Sequence, residues 1–382
     1  MKRALMYASV ASMILQFNMK NIKLLKELGY EVDVACNMVQ GSSITPEKIE
    51  EMKKELAAMG VRTYHIPVPR KITAIGEILN SLKLTKALIN EREYELIHCH
   101  SPIGSMICRL ANRFSLRYKK AKMIYTAHGF HFFKGAPTLN WLLFYPAEKL
   151  CARFTDILIT INREDYDRAK RRLNAKEIKY VKGVGISPEK FTASKDGAEE
   201  LRKELNIPEN ATVLLSVGEL NENKNHKLVI RALGRLDNKN VYYVIVGKGA
   251  GHDALISEAL KANIADRVLL LGFRSDVARF YGMANAFVFP SFREGLSVSL
   301  MEAMSSALPC AVSEIRGNTD LIDENGGTLF KPDSVDSCLT AINKLLNSDM
   351  GELGRYNTQK IQPFFIEPVS EEMRFIYEGA SK

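Results

Sequence analysis

Short runs of mostly apolar residues recur along the chain, at RALMYA (3–8), EVDVAC (31–36), VRTYHIP (61–67), ELIHCH (95–100), KMIYTAH (122–128) and DILITI (156–161). Between most of them lie stretches of about a dozen residues or more with helical periodicity. Strand-like and helix-like segments in alternation predict βαβ units around a parallel sheet, with right-handed crossovers. The pattern breaks at VGISPEKF (184–191), where Gly and Pro interrupt it. It then restarts with TVLLSVG (212–218), VYYVIVG (241–247), RVLLLGF (267–273), AFVFPS (286–291) and PCAVS (309–313). The expected fold class is therefore α/β, as two doubly wound parallel-sheet domains over 1–185 and 186–363. A last helical stretch at 369–379 follows the Pro-bounded segment QPFFIEP, so 364–382 is expected to cross back onto the first domain.

The opening MKRALMYASVASMIL (1–15) has the basic, apolar and small residues of a secretory leader. The amphipathic helix, Gly stop and apolar strand of NIKLLKELGYEVDVAC follow at once, however. That unit needs a preceding strand to pack on, and residues 4–8 supply it. No run reaches the roughly 18 apolar residues of a membrane span. The six Cys, at 36, 99, 108, 151, 310 and 338, form no C-x-x-C pair and no zinc spacing. This usage suits a reducing cytosol and inert thiols.

Composition adds an asymmetry. The chain of 382 residues has a formal net charge of +9, but residues 1–190 carry 32 Lys and Arg against 18 Asp and Glu, and the remainder nets −5. Between Glu95 and Glu148 there is no acidic residue, while Arg109, Arg113, Arg117, Lys119, Lys120, Lys122 and Lys134 all fall there. Such a region is either a solvated face or an attractor of polyanions: nucleic acid, an anionic leaflet or a phosphorylated substrate. Two facing doubly wound domains, each binding ligand at the carboxyl ends of its strands, would suit a two-substrate enzyme.

The most informative segment is PSFREGLSVSLMEA (290–303). A strand ends at Ser291, a loop carries Arg293, Glu294 and Gly295, and a helix is expected from there to about Ala307. Gly295 permits close backbone approach, and the N–H groups of Gly295, Leu296 and Ser297 at a helix start suit anions or hydroxyl oxygens. Glu294 and Glu302 are placed to accept hydrogen bonds from hydroxyls. In VGKGAG, Gly247, Gly249 and Gly251 form a turn after a strand, alone a weak dinucleotide signal. His98 and His100 lie on one strand face with no clear third ligand, which argues against a metal.

Glu294 and Glu302 resemble the Glu-x7-Glu motif of glycosyltransferase family 4, retaining enzymes with the two-domain GT-B fold, and the resemblance extends over nearly the whole chain. It implies that Glu294 contacts the donor sugar and Glu302 the ribose of the nucleotide. LLSVGELNENKN (214–225) is similar to the element that grips the donor diphosphate, with Gly218 and Lys224 at the Gly and Lys positions. Where the family has Arg after that Gly, this chain has Glu219; Arg316 is the first candidate for the missing cation and Arg293 the second. Gly247, Gly249 and Phe273 would border the nucleotide. In YTAHGFHFF (125–133), His128 matches the family histidine near sugar and phosphate. His100 and His131 are assigned to the acceptor side. The N-terminal loop lacks the family's Gly pair and offers Ser9 and Ser12 instead.

The resemblance implies transfer of a sugar from a UDP-sugar, without a metal or other cofactor, to a lipid-linked or oligosaccharide acceptor in bacterial capsule or exopolysaccharide assembly. Lys224, Glu294 and His128 would carry the chemistry. The expected acceptor is a polyprenyl-diphosphate-linked saccharide. The basic, aromatic first half, including NWLLFYPAEKL (140–150), is expected either to pack inward or to hold a cytoplasmic enzyme against the anionic inner membrane face; nucleic acid is not an expected partner. Two rivals remain. A GT-B sugar-nucleotide epimerase would want acid and base carboxylates across the cleft, where 95–148 offers none. A UDP-sugar-binding subunit without turnover is the other, suggested by Glu219.

Overall fold

The computed structural model describes residues 2–40, 42–191 and 197–380. The chain divides into two compact units, Met1–Val184 with Glu367–Lys382, and Gly185–Ile366.

The first unit is a seven-stranded sheet of β1 (Arg3–Val10), β2 (Glu31–Asn37), β3 (Arg62–His65), β4 (Leu96–His100), β5 (Lys122–Ala127), β6 (Ile157–Thr160) and β7 (Glu177–Tyr180). Its strand order is β3-β2-β1-β4-β5-β6-β7, with every pairing parallel. The second unit holds β8 (Thr212–Val217), β9 (Val241–Val246), β10 (Val268–Leu270), β11 (Ala286–Phe289), β12 (Cys310–Ser313) and β13 (Gly327–Phe330). Its order is β10-β9-β8-β11-β12-β13, again all parallel. In each unit the order reverses beside the first strand, at β1/β4 and at β8/β11. Ligands of open α/β sheets bind at such points.

The apolar runs become strands because both faces of a parallel sheet are covered by helices. β4 is buried at all five positions, and β1 is sandwiched between β2 and β4. The helix Met19–Glu27 ends before Gly29, whose φ of 82° takes the left-handed turn that leads into β2. β7 and β13 have no counterpart among the predicted strands. β7 is a four-residue edge strand, EIKY, that alternates exposed and half-buried positions, and β13 is only GTLF.

The return to the first unit starts at Glu367 rather than at residue 364. Phe364 is buried in the second unit's core, and Ile186 bonds to Phe364 O and Ile366 N at 3.1 and 2.9 Å. Val369, Met373, Ile376 and Tyr377 of the last helix, Ile366–Ala380, then pack into the first unit's core. All six cysteines are buried thiols; burial raises Cys36 and Cys338 to about 12.

The acid-free run does not form one solvated face. Arg109 is 1% exposed and makes a two-armed ion pair with Glu148 at 2.6 and 3.2 Å, while its guanidinium lies 4.2 Å from the Tyr125 ring centre. Arg113 stacks on Tyr118 at 4.6 Å, and Arg117 pairs with Glu93. The helix Thr138–Ala152 divides the expectation for the aromatic segment. Trp141, Phe144 and Tyr145 pack against the core, whereas Leu139 and Leu142 are 62% and 68% exposed. No helix among the described residues is long and apolar enough to cross a membrane.

Candidate active site

In the second unit, side chains gather at the carboxyl ends of β8 and β11. The loop after β8 is sewn to the loop after β9: the Gly218 N–H donates to Val246 O at 3.0 Å, Leu220 N–H to Lys248 O at 3.0 Å and Gly251 N–H to Leu220 O at 2.9 Å. A Cβ at Gly247 or Gly249 would run into the carbonyls of Gly218 or Leu220. The glycine turn is thus demanded by the contact of two loops.

Asn221 caps the short turn Glu222–Lys224, its Oδ1 accepting from the Lys224 N–H at 3.1 Å. The Lys224 side chain then runs past Gly218, where a Cβ would lie 3.3 Å from its Cε. Its Nζ stands 4.6 Å from the Phe289 ring centre and donates to Glu294 Oε1 at 2.8 Å. Two residues 70 apart in sequence therefore form one partly buried ion pair at the switch point.

Around this pair, Arg316 Nε donates to the Glu294 carbonyl at 3.1 Å, which brings a second cation to the Glu294 loop. A Cβ at Gly317 (φ 79°) would strike the Gly295 carbonyl, so that neighbour is also fixed as glycine. Arg293 is exposed and directs its Nε to Asn223 Oδ1 at 3.1 Å. Glu219 is likewise exposed, bonded to Asn221 Nδ2 at 3.0 Å.

The helix after this loop is shorter than expected, Val298–Ser305. Ser297 is its N-cap, accepting from Leu300 N–H at 3.3 Å, and Gly295 and Leu296 precede it. It stops because Ala307 takes a positive φ of 57°. Glu302 lies mid-helix, where the buried Tyr281 hydroxyl approaches its Oε2 at 2.9 Å and Ser299 O at 3.0 Å. Phe273 is exposed beyond β10, with Lys248 Nζ 5.7 Å from its ring centre.

Sequence reasoning passed over three residues that shape this site. Asn225 (φ 54°) donates from Nδ2 to Pro290 O and Pro332 O at 3.2 and 2.8 Å, tying three loops together. Asn tolerates that left-handed backbone, and its place directly before a helix was the available signal. Tyr281 and Lys248 carried none, because their partners come from other elements.

In the first unit, His98, His100 and His128 gather where β4 and β5 end. His100 Nδ1 and His128 Nε2 are 3.1 Å apart, and the His98 and His100 rings lie with centres 4.2 Å apart and planes tilted by 42°. His98 bonds to Thr126 Oγ1 and to the Tyr377 hydroxyl, each at 2.8 Å. Burial lowers His98 to about 3 and His128 to about 4. His100 and His128 line a depression with Phe17, Asn18, Lys20 and Asn21.

His131 lies apart from them. It stacks on Phe144 at 4.5 Å and lines a different depression, with Ile103 and Met106. Ser9 Oγ accepts the Gly104 N–H at 3.0 Å, holding the start of the helix Pro102–Arg113, and Ser12 is buried. Ser101, directly after β4, has the positive φ of 69°, a strained conformation of the kind that clusters at functional sites. Among the described residues no three His, Cys, Asp or Glu side chains gather as metal ligands.

Two doubly wound parallel sheets, of seven and six strands, give the chain the GT-B fold, and the comparisons with known proteins make the class specific. Residues 197–360 match the family of glycosyl transferases group 1, and residues 6–162 the glycosyl transferase 4-like family. The chain is 35% identical over 336 residues to EpsD of Bacillus subtilis (strain 168), a protein named as a glycosyltransferase, covering 86% of this chain and 84% of that one. It is 29% identical over 290 residues to the UDP-Gal:alpha-D-GlcNAc-diphosphoundecaprenol alpha-1,3-galactosyltransferase of Escherichia coli, covering 74% of each. Among solved structures, Anabaena HepE in complex with UDP and glucose superposes with a TM-score of 0.79 at 15% identity, over 99% of this chain and 100% of that one. The chain belongs to this family of GT-B glycosyltransferases.

Proposed function

We propose that the protein transfers a hexose from a UDP-sugar to a polyprenyl-diphosphate-linked or oligosaccharide acceptor in exopolysaccharide or capsule assembly, with retention at the anomeric carbon. The observation that carries this reading is the Lys224–Glu294 ion pair at the β8/β11 switch point. A lysine held by a carboxylate is a cation site kept in place until a diphosphate takes over its charge, and the released carboxylate is then free to accept hydrogen bonds from sugar hydroxyls. The activity for which the Escherichia coli relative is named supports both the donor nucleotide and the lipid-diphosphate acceptor.

In this reading Lys224 and Arg316 stabilise the charge that develops on the departing UDP, a role that needs no metal. Glu294 and the loop Gly295–Ser297 orient the sugar, Glu302 takes the ribose, and His128 contacts the sugar. No carboxylate is placed as a nucleophile, because Glu294 is committed to hydroxyls. Attack by the acceptor on the same face from which UDP leaves accounts for retention. The site works in the cytoplasm, on an enzyme lodged at the inner membrane face by the exposed leucines of the helix Thr138–Ala152 and the nearby bases Lys149, Arg171 and Arg172.

The test is UDP release from a panel of UDP-sugars, with and without a lipid-diphosphate saccharide, for wild type beside Glu294→Ala and Lys224→Ala. One donor should release UDP, and each variant should lose about 100-fold or more in kcat, as loss of a charge-stabilising donor does. A chain that neither turns over any UDP-sugar nor binds UDP would overturn the reading.

A further inference from the structure

Met6, His100 and His128 form a chain of polar contacts in the first unit. Met6 is fully buried in β1, and its Sδ lies 3.2 Å from His100 Nε2. A thioether sulfur accepts hydrogen bonds and has no proton to give. With His100 neutral, as its complete burial favours, one ring nitrogen holds the proton and the other a lone pair. Only the tautomer with the proton on Nε2 makes a bond to Met6. The other would set two lone pairs against each other at a site closed to water, leaving a buried acceptor unsatisfied.

The consequence passes on. With its proton on Nε2, His100 has an acceptor at Nδ1, and that atom faces His128 Nε2 at 3.1 Å. His128 must then donate from Nε2, which leaves its Nδ1 as a lone pair. Among the described residues that Nδ1 has no hydrogen-bond partner, and the half-buried ring borders the depression formed with Phe17, Asn18, Lys20 and Asn21.

We infer that Met6 and His100 are positioning residues that fix His128 in the Nε2–H tautomer, so that it presents a hydrogen-bond acceptor, and no proton donor, to a hydroxyl of the bound sugar. The role toward sugar rests on the glycosyltransfer reading above; the tautomer does not. A histidine locked in this way discriminates among ligands, since it takes a hydroxyl proton and rejects an ether or carbonyl oxygen at the same place. It also cannot serve as general acid to the leaving diphosphate.

Long-range 1H–15N correlation spectra of the 15N-histidine-labelled protein near neutral pH read each tautomer directly, with assignment from His128→Gln. Wild type should show both His100 and His128 as Nε2–H. In Met6→Leu, a volume-conserving exchange that keeps the strand buried, His100 loses its acceptor. The proton should move to His100 Nδ1, and His128 should switch to Nδ1–H. In the same variant kcat/KM for UDP release should fall about tenfold, the equivalent of one neutral hydrogen bond, with the Kd of UDP unchanged. A wild-type His128 in the Nδ1–H form, or a Met6→Leu spectrum identical to wild type, overturns the inference. Because the spectra need no substrate, an enzyme inactive on every UDP-sugar would refute the functional reading and leave the tautomer result standing.

Discussion

Lys224 and Glu294 were singled out from two separate motifs, and the fold brings them to 2.8 Å. Short polar motifs survive translation into geometry when a strand end fixes where each begins. Arg109 shows the opposite. It was counted in the sequence as part of a basic face, yet it is buried and paired with Glu148. Nothing in the local pattern tells an interior arginine from a surface one, because the deciding partner is 39 residues away. Removing one member of a buried pair strands the other charge. Glu148→Gln should therefore lower stability by about 3 kcal/mol or more, read from denaturant unfolding. Arg109→Met combined with Glu148→Leu should recover most of that loss; a single variant as stable as wild type would show the pair to be solvated.

At the scale of the element, β4 carries His98 and His100 into the interior and the half-buried His128 follows β5, and this has a pH signature. His98, His128 and, in the second unit, His226 are lowered by burial to about 3, 4 and 3. In the unfolded chain each titrates near 6.5. Between those values the unfolded state binds more protons, so stability falls as pH drops from about 6.5 toward 4, by about 1.4 kcal/mol per pH unit for each histidine still neutral in the fold. Above about 6.5 their contribution is complete. Unfolding midpoints from pH 7.5 to 4.5 should trace that fall, and His226→Gln should flatten it by one proton; a flat wild-type profile would contradict the buried, neutral histidines. The eleven strands read from apolar runs are all present, whereas β7 and β13 were not read. Both are four-residue edge strands, too short to show a hydrophobic period, and each gains its conformation from its neighbour's backbone, which leaves no mark in hydropathy.

For the molecule as a whole, the reading of the first unit as membrane-facing depends on the helix Thr138–Ala152. Leu139 and Leu142 stand out into solvent, and Lys149, Arg171 and Arg172 line a groove beside Trp141 and Tyr145. Apolar side chains beside bases are complementary to an anionic bilayer. The protein should sediment with vesicles rich in phosphatidylglycerol, less so at high salt. Leu139→Glu with Leu142→Glu should reduce that partition at least about tenfold, since each buried leucine contributes roughly 1.5–3 kcal/mol. Equal binding to neutral vesicles, or none to either, would remove the membrane from the proposal.

By itself the sequence determined the alternation of strand and helix, the break near residue 184 and the family, because hydrophobic period and short motifs are local properties. Tertiary structure alone decided that Arg109 lies inside, that Phe364 stays with the second unit, that Tyr281 meets Glu302 and that Met6 reaches His100. Each of these turns on a partner distant in the chain, and a polar group's role is set by what closes around it.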